Sequence, residues 1–334
     1  MGRAQPGAAP YFRRCADHPL GEVLSDRVSN FLHDAVSAPH LGAEPKDWLA
    51  LLKPRVVSLV VFTGAIGLVI APGHINPLLA VVAIFCIALG AGAAGAINMW
   101  YDRDIDAIMR RTTTRPIPAG KIEPGGALGF GIVLSVISVL LLAMATNLCA
   151  AGVLAFSIFY YAVIYTIWLK RRTPQNIVIG GGAGAFPAVI GWAAVTGHIG
   201  LLPMLLFLIV FFWTPPHFWS LSLYACTDYE KAGVPMLPVV KGARHTRWNV
   251  FVYTLLLFPL ALSPWFLGLA GRIYGATAFV LGAAFLYFAW GVLRDEQDAK
   301  GVSLTKDQPA RAAFKFSILY LFLLFAAIAV DRLV

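Results

Sequence analysis

The sequence predicts an all-α integral membrane protein with nine transmembrane helices. Hydrophobic residues make up 59% of the 334 residues, and charged residues make up only 13%. Apolar stretches long enough to cross a bilayer, roughly 17 to 25 residues each, recur nine times along the chain. The composition and this recurrence favour a membrane protein over a soluble two-domain protein.

The nine predicted spans follow one another through most of the chain. They cover residues 56–71, 77–100, 125–146, 149–168, 177–197, 201–224, 248–269, 273–293 and 312–330. Residues 1–47 are polar and contain six acidic residues, which an acid-poor targeting peptide would avoid. We therefore predict a disordered cytoplasmic tail over residues 1–47 and a membrane domain over residues 48–334.

The positions of the basic residues predict how the helices are oriented. Of the 26 Lys and Arg, 24 lie in the N-terminal tail or in the loops after the second, fourth, sixth and eighth spans. The positive-inside rule places these segments, and with them the N-terminus, in the cytoplasm. The net charge of +9 is thereby explained by topology, so no nucleic-acid partner is expected. We expect a multi-pass protein of a bacterial cytoplasmic (inner) membrane, with its active site facing the cytoplasm.

A cluster of acids and arginines follows the second span in the stretch "NMWYDRDIDAIMRRTTTRP". Asn98, Asp102 and Asp106 are spaced i, i+4 and i+8, which places all three on one stripe of a helix. Two carboxylates about 6 Å apart repel by roughly 3 kcal/mol at an effective dielectric of 20. A divalent cation would remove this penalty, and oxygen ligands of this kind suit Mg²⁺ completed by substrate phosphates.

Basic residues on the same side of the membrane could bind those phosphates. Arg111 and Arg115 follow the acids, and Lys170 and Arg171 lie in the loop "LKRRTPQN" after the fourth span. Guanidinium groups match phosphate oxygens well. The alternative is that the acids are solvated at a frayed helix end and the cations serve topology alone. Ionisable residues at membrane depth favour the functional interpretation.

The sixth span carries a second polar group in "FFWTPPHFWSLSLYACTDYEKAG". Trp213, His217, Tyr224 and Asp228 would share a face if the helix continued unbroken. The proline pair within it bends the helix and frees backbone carbonyls, which favours a position beside a cavity. His217 is either a core histidine or a substrate contact. The glycine-rich stretch 180–187 serves either close helix packing or the approach of a flat ligand.

Together these segments resemble the intramembrane aromatic prenyltransferase superfamily, and more closely its protoheme IX farnesyltransferase branch. The superfamily motif is "NMWYDRDID", and the branch is indicated by "RTTTRP", "YTIWLKRRTPQN", "WTPPHFWSLSLY" and "DYEKAGVPMLPVVKG". The resemblance extends from about residue 48 onward. Other superfamily members carry an Asp-x-x-x-Asp pair on the second acidic helix, where this chain has Tyr224, Asp228 and Glu230. The ligands of a second magnesium ion are therefore left open.

The resemblance implies nine helices around a central cavity that is open to lipid and capped by cytoplasmic loops. It implies that farnesyl diphosphate and haem B are converted to haem O, with haem A synthase a candidate partner downstream. Asn98, Asp102, Asp106 and Asp228 would be the catalytic residues that hold Mg²⁺. Arg111, Arg115, Lys170 and Arg171 would bind the diphosphate, and Trp213, His217 and Tyr224 would contact substrate.

Two other functions share parts of this pattern. A prenyltransferase acting on a quinone-ring precursor would use the same metal site with a different acceptor pocket. A cation-coupled transporter would also need intramembrane acids and broken helices. The grouping of arginines and lysines opposite the acids on one side of the membrane is better explained by a phosphorylated substrate.

Overall fold

The computed structural model describes residues 42–298 and 302–334, and no β-strand occurs within those ranges. The helices are Pro45–Leu51 (α1), Pro54–Val69 (α2), Pro77–Tyr101 (α3), Arg103–Ile108 (α4), Pro124–Ala145 (α5), Leu148–Phe159 (α6), Asn176–Thr196 (α7), Leu201–Tyr224 (α8), Cys226–Lys231 (α9), Leu237–Lys241 (α10), Ala243–Phe266 (α11), Arg272–Leu293 (α12) and Gln308–Leu333 (α13). Helix α6 continues with wider, π-helical turns over Tyr160–Leu169.

The predicted all-α membrane class is confirmed. In the described ranges, eight helices are long and apolar enough to span a membrane, and the bent pair α1 and α2 supplies a ninth if it is counted as one span. The predicted cytoplasmic position of the N-terminus stays a prediction. Residues 1–41 of the predicted tail lie outside the described residues, and α1 already begins at Pro45.

Helix boundaries follow from short local signals. Pro54, Pro77 and Pro124 each occupy a first helical position, where the missing N–H costs nothing. Asn76 caps α3 by accepting a hydrogen bond from the Leu78 amide at 2.9 Å. Such signals keep the apolar stretches separate, so they pack side by side as distinct spans.

The main apolar core joins α2, α7, α8, α11, α12 and α13, and a second core joins α3, α5, α6 and α7. Helices α2 and α7 approach so closely that a Cβ on Gly191 would meet the carbonyl of Gly64. Their glycines therefore serve close helix packing. On α5, by contrast, Val133, Val136 and Leu140 are 52 to 59% exposed, as expected of a helix that faces lipid.

Candidate functional site

The acid stripe survives a break in the helix. Helix α3 ends at Tyr101 and α4 begins at Arg103. Across this junction the Asp102 amide donates to the Asn98 carbonyl at 2.9 Å, and the Asp106 amide donates to the Asp102 carbonyl at 2.8 Å. The i to i+4 spacing is therefore preserved, and all three polar side chains are buried, with at most 4% of each residue exposed.

Asp102 is the most enclosed of the three, with no exposed surface. Its Oδ2 accepts hydrogen bonds from Lys170 Nζ at 2.5 Å and from Asn98 Nδ2 at 2.7 Å. Its Oδ1 has no hydrogen-bond partner among the described residues, and Arg171 Nη2 stands 3.6 Å away. A carboxylate oxygen without a hydrogen-bond partner is costly to bury, and the guanidinium of Arg171 is a charge close enough to offset part of that cost.

Two further ion pairs join the loops around this stripe. Arg115 Nη1 lies 2.5 Å from Asp106 Oδ2, and Arg171 donates two hydrogen bonds of 2.6 Å to Asp104. Burial acts to raise the pKa of Asp104, but the hydrogen bonds and charge of Arg171 outweigh it and hold that pKa below its ordinary value. The basic loops after the second and fourth spans therefore meet the acids at one end of the bundle.

Lys53 belongs to this site although sequence reasoning assigned it only to topology. Its Nζ donates a 2.5 Å hydrogen bond to Asn98 Oδ1. Lys53 lies between α1 and α2 with φ 52 and ψ 54, a left-handed conformation that is uncommon for a residue with a Cβ. Backbone strain of this kind costs roughly 1 to 3 kcal/mol and often occurs at functional sites.

Several of these side chains line a cavity of about 590 Å³ inside the bundle. Its polar lining includes Lys53, Asn98, Asp106, Arg111, Arg115 and Lys170, and its remaining wall is largely apolar and aromatic. Four of these residues are basic and one is acidic, and Asp102 adds a second carboxylate just behind the lining. The polar part of the cavity therefore carries an excess of positive charge that suits an anionic group.

The π-helical segment shapes one wall of the cavity. Because its turns are wider, Thr166 Oγ1 donates to the Tyr161 carbonyl five residues back, at 2.8 Å, and accepts from Asn98 Nδ2 at 3.1 Å. The rings of Tyr161 and Tyr165 stack with centroids 5.6 Å apart, and both line the cavity. Deviations of this kind inside a helix often occur at functional sites.

Another part of the wall comes from α8 and α13. The imidazole of His217 stacks between Trp213 and Phe314, at centroid distances of 4.4 and 4.6 Å. Trp213 Nε1 donates to the Ser317 carbonyl at 2.8 Å. Both Trp213 and His217 line the cavity, and the imidazole is held between two aromatic rings.

Residues 60–319 match the UbiA prenyltransferase family over most of the chain. The chain belongs to the UbiA prenyltransferase family. Two curated relatives, both named protoheme IX farnesyltransferase, come from Acidiphilium cryptum and Gluconobacter oxydans. The first is 69% identical over 88% of this chain and 93% of its own length. The second is 60% identical over 92% of this chain and 99% of its own length.

Solved structures share the UbiA fold with this chain. A digeranylgeranylglyceryl phosphate synthase has a TM-score of 0.70 and 20% identity, with 86% of this chain and 98% of that chain covered. A UbiA homologue from Archaeoglobus fulgidus, bound to GPP and Mg²⁺, has a TM-score of 0.59 and 17% identity, with 84% and 99% covered. At these identities the likeness establishes the fold alone.

Within this UbiA fold, most of the sequence-predicted site residues converge on one cavity. Those that line it are Asn98, Asp106, Arg111, Arg115, Lys170, Trp213 and His217, and Asp102 bonds to two of them. The cavity lining does not include Arg171, Tyr224 or Asp228. Arg171 is engaged by Asp104, and Tyr224 lies under the guanidinium of Arg311 at 4.3 Å.

Asp228 is half-buried in the short helix α9, and its neighbour Tyr229 lines the cavity instead. The Tyr229 hydroxyl accepts a 3.0 Å hydrogen bond from Arg111 Nη2. A metal-ligand role for Asp228 therefore stays a prediction. Sequence reasoning missed Lys53, Tyr229 and the stacked pair of Tyr161 and Tyr165, whose positions depend on turns that helical periodicity does not describe.

The glycine-rich stretch in α7 contains glycines in two different environments. An added Cβ on Gly181 or Gly182 would come within 3 Å of Thr214 or Tyr160, so these glycines pack against neighbouring helices. Gly184 lines the cavity and has nothing within 4 Å of the position a Cβ would take. Its backbone is therefore accessible to a ligand in the cavity.

Proposed function

We propose that this UbiA family member transfers the farnesyl group of farnesyl diphosphate to a vinyl group of protoheme IX, which makes haem O. Farnesyl diphosphate, haem B and water give haem O and diphosphate, with the water oxygen becoming the hydroxyl of the new hydroxyethylfarnesyl group. The relatives from Acidiphilium cryptum and Gluconobacter oxydans carry the name of this activity at 69% and 60% identity. The observation that carries the proposal is one cavity whose lining includes Asn98, Asp106 and four basic side chains, with Asp102 bonded to Asn98 just behind that lining.

The donor set fits Mg²⁺. Asn98, Asp102 and Asp106 present amide and carboxylate oxygens in one buried stripe, and Asp102 Oδ1 has no hydrogen-bond partner among the described residues. No group of three or more His, Cys, Asp or Glu suited to a metal occurs within the described ranges. A magnesium ion held here would complete its shell with substrate phosphate oxygens and water. The A. fulgidus homologue is described as bound to GPP and Mg²⁺, which supports the same arrangement here, with Asp228 a candidate ligand for a second ion.

Bound Mg²⁺ would neutralise phosphate charge as the allylic C–O bond breaks. The basic side chains lining the cavity perform the same task from the protein side. Lys53, Arg111, Arg115 and Lys170 would donate hydrogen bonds to the phosphate oxygens. Arg171 would also bind a phosphate oxygen once its guanidinium leaves Asp104. Each of the four lining residues is held by a neighbouring side chain, namely Asn98, Tyr229, Asp106 and Asp102 respectively, so little reorganisation accompanies the loss of diphosphate.

The aromatic wall would protect the allylic cation that remains. The stacked rings of Tyr161 and Tyr165 and the indole of Trp213 line the same cavity as the basic side chains. Each aromatic face stabilises a nearby cation by about 0.5 to 2 kcal/mol. The apolar lining also excludes water until the vinyl group of haem has attacked. Tyr224, which the sequence predicted as a substrate contact, does not line this cavity, and any contribution it makes would be indirect.

The experiment that tests this function is an assay of the purified chain with protoheme, farnesyl diphosphate and Mg²⁺. We expect a farnesylated, hydroxylated porphyrin by mass, lost on chelation and restored by added Mg²⁺. A parallel incubation with a hydroxybenzoate in place of protoheme tests the quinone-precursor alternative. A prenylated hydroxybenzoate with unchanged protoheme would overturn the choice of acceptor and leave the prenyl-transfer chemistry intact.

We further propose that the site faces the cytoplasm of a bacterial inner membrane. The bias of Lys and Arg toward one set of loops supports this orientation. Haem O would pass to terminal oxidases either directly or through haem A synthase. Labelling single introduced cysteines in those loops from each side of sealed vesicles tests the orientation, and labelling from the periplasmic side would contradict it.

A further inference from the structure

His217 is buried in the cavity wall, and its two ring nitrogens have different surroundings. Nδ1 lies 2.6 Å from Ser317 Oγ, on α13. Nε2 has no hydrogen-bond partner among the described residues, yet it is not among the nitrogen atoms fully enclosed by protein. Since His217 lines the cavity, Nε2 is the ring atom available to a molecule inside it.

Ser317 determines which nitrogen carries the proton. A serine hydroxyl has one hydrogen, and the Ser317 hydroxyl donates it to the Phe314 carbonyl at 2.7 Å. Ser317 Oγ therefore accepts from His217, so Nδ1 carries the proton. No carboxylate forms an ion pair with His217 in the described ranges, and a charged imidazole between two aromatic rings would be costly. The ring is therefore neutral, with a lone pair on Nε2.

Packing fixes the direction of that lone pair. The imidazole is stacked within 19° of the Trp213 plane and within 25° of the Phe314 plane. Trp213 is in turn fixed by its hydrogen bond to the Ser317 carbonyl. Ser317 thus holds both rings through two different atoms, and α13 sets the orientation of the imidazole.

We propose that His217 Nε2 is the axial ligand of the haem iron when protoheme occupies the cavity, and that Ser317 is a positioning residue for it. A neutral imidazole that donates its other N–H to a protein oxygen is the usual arrangement of a metal-binding histidine. The lone pair of Nε2 fills an open position on the iron, with no change in oxidation state. The proposal rests on the proposed function, because it takes haem as the acceptor, and it assigns the part of the cavity where the porphyrin lies.

The test is resonance Raman spectroscopy of the purified full-length chain with ferrous protoheme IX. We expect an iron–histidine stretching band in the wild-type complex and its loss in His217→Ala. Added imidazole should restore a band in His217→Ala. In Ser317→Ala the band should shift to lower frequency, because Nδ1 loses its acceptor and the ligand donates less charge. Haem affinity should fall about fivefold, as expected for one lost hydrogen bond, and Ser317→Thr should recover the wild-type band.

Ser222→Ala is the matched control. Ser222 is also buried and also donates to the carbonyl three residues back in its own helix, that of Trp219 at 2.9 Å, but it contacts no imidazole. The iron–histidine band of Ser222→Ala should have the wild-type frequency. A wild-type band in His217→Ala would overturn the proposed ligand, and an unshifted band in Ser317→Ala would overturn the positioning role. If wild type itself binds no protoheme while it binds farnesyl diphosphate, haem as acceptor fails together with the inference.

Discussion

Replacing Lys53 with methionine tests whether the cavity binds the diphosphate as proposed. Methionine keeps a long unbranched side chain but removes the charge and the hydrogen bond from Nζ to Asn98 Oδ1, which is 2.5 Å long. A hydrogen bond to a charged group contributes about 1.5 to 3 kcal/mol. If Nζ binds a phosphate oxygen, the substitution should weaken farnesyl diphosphate binding by about ten- to a hundredfold.

Calorimetric titration of farnesyl diphosphate in the absence of haem measures this loss directly. Three other basic residues, Arg111, Arg115 and Lys170, still line the cavity, so binding should weaken without disappearing. The control is Lys46→Met, because Lys46 is 69% exposed and pairs with Glu44 outside the cavity. Binding by Lys53→Met within twofold of Lys46→Met would refute the assignment, and Lys53 would then serve only to hold Asn98.

Three further predictions concern catalysis, helix packing and a buried ion cluster. Asp102→Ala should abolish prenyl transfer while the protein still inserts into the membrane, because it removes a buried carboxylate of the proposed metal site. Mass spectrometry of the porphyrin product measures the transfer. Gly191→Ala should lower stability by about 1 to 3 kcal/mol, because its Cβ would meet the Gly64 carbonyl. Arg247→Met should lower the free energy of unfolding by about 3 to 5 kcal/mol. Arg247 Nη2 lies 2.9 Å from a carboxylate oxygen of both Asp295 and Asp307, and both acids lose this partner. Burial raises the pKa of Asp307, and Arg247 opposes that rise. The folded state then binds more protons than the unfolded one, so stability falls as pH rises through the raised pKa. The loss of stability in Arg247→Met, relative to wild type, should therefore be smaller when thermal unfolding is measured in mild acid.

Each of these substitutions has a matched control in the chain. Asp104→Asn changes an acid two residues after Asp102 whose side chain is 46% exposed, and it should keep measurable turnover. Gly152→Ala adds a Cβ with nothing within 4 Å and should be neutral or slightly stabilising. Arg244→Met removes an exposed charge near Arg247 and should melt like wild type. Residual turnover in Asp102→Ala would contradict the metal-site argument. Equal melting temperatures for Gly191→Ala and Gly152→Ala would contradict the packing argument. A loss of stability in Arg247→Met that grows in acid would contradict the ion-cluster argument.

The spans and the acid stripe could be predicted because both depend on neighbours in sequence. Hydrophobic length decides whether a helix can cross a bilayer. The stripe needs only that Asn98, Asp102 and Asp106 keep helical spacing, and the backbone hydrogen bonds across Asp102 keep it. The contact between Lys53 and Asn98 joins residues 45 positions apart and depends on a left-handed turn at Lys53. Periodicity contains no information about such a turn.

The π-helical wall is another feature that α-helical periodicity, with 3.6 residues per turn, cannot predict correctly. The sequence predicted that the aromatic residues Trp213 and Tyr224 contact substrate, and of these two only Trp213 lines the described cavity. In wider turns each successive residue rotates less about the helix axis than in an α-helix. Tyr161 and Tyr165 therefore stack on the cavity side, and which rings face the substrate depends on the bulge.

The two acidic motifs differ in backbone geometry, which explains why the first keeps its predicted helix face and the second does not. Across Asp102 the amides bond four residues back, so the face set by α3 continues. After α8 the Asp228 amide bonds only three residues back, to the Ala225 carbonyl at 3.1 Å. A three-residue turn advances each side chain by about 120° instead of 100°. The face shared by Trp213 and His217 is thereby lost before Asp228, and Tyr229 turns toward the cavity in its place.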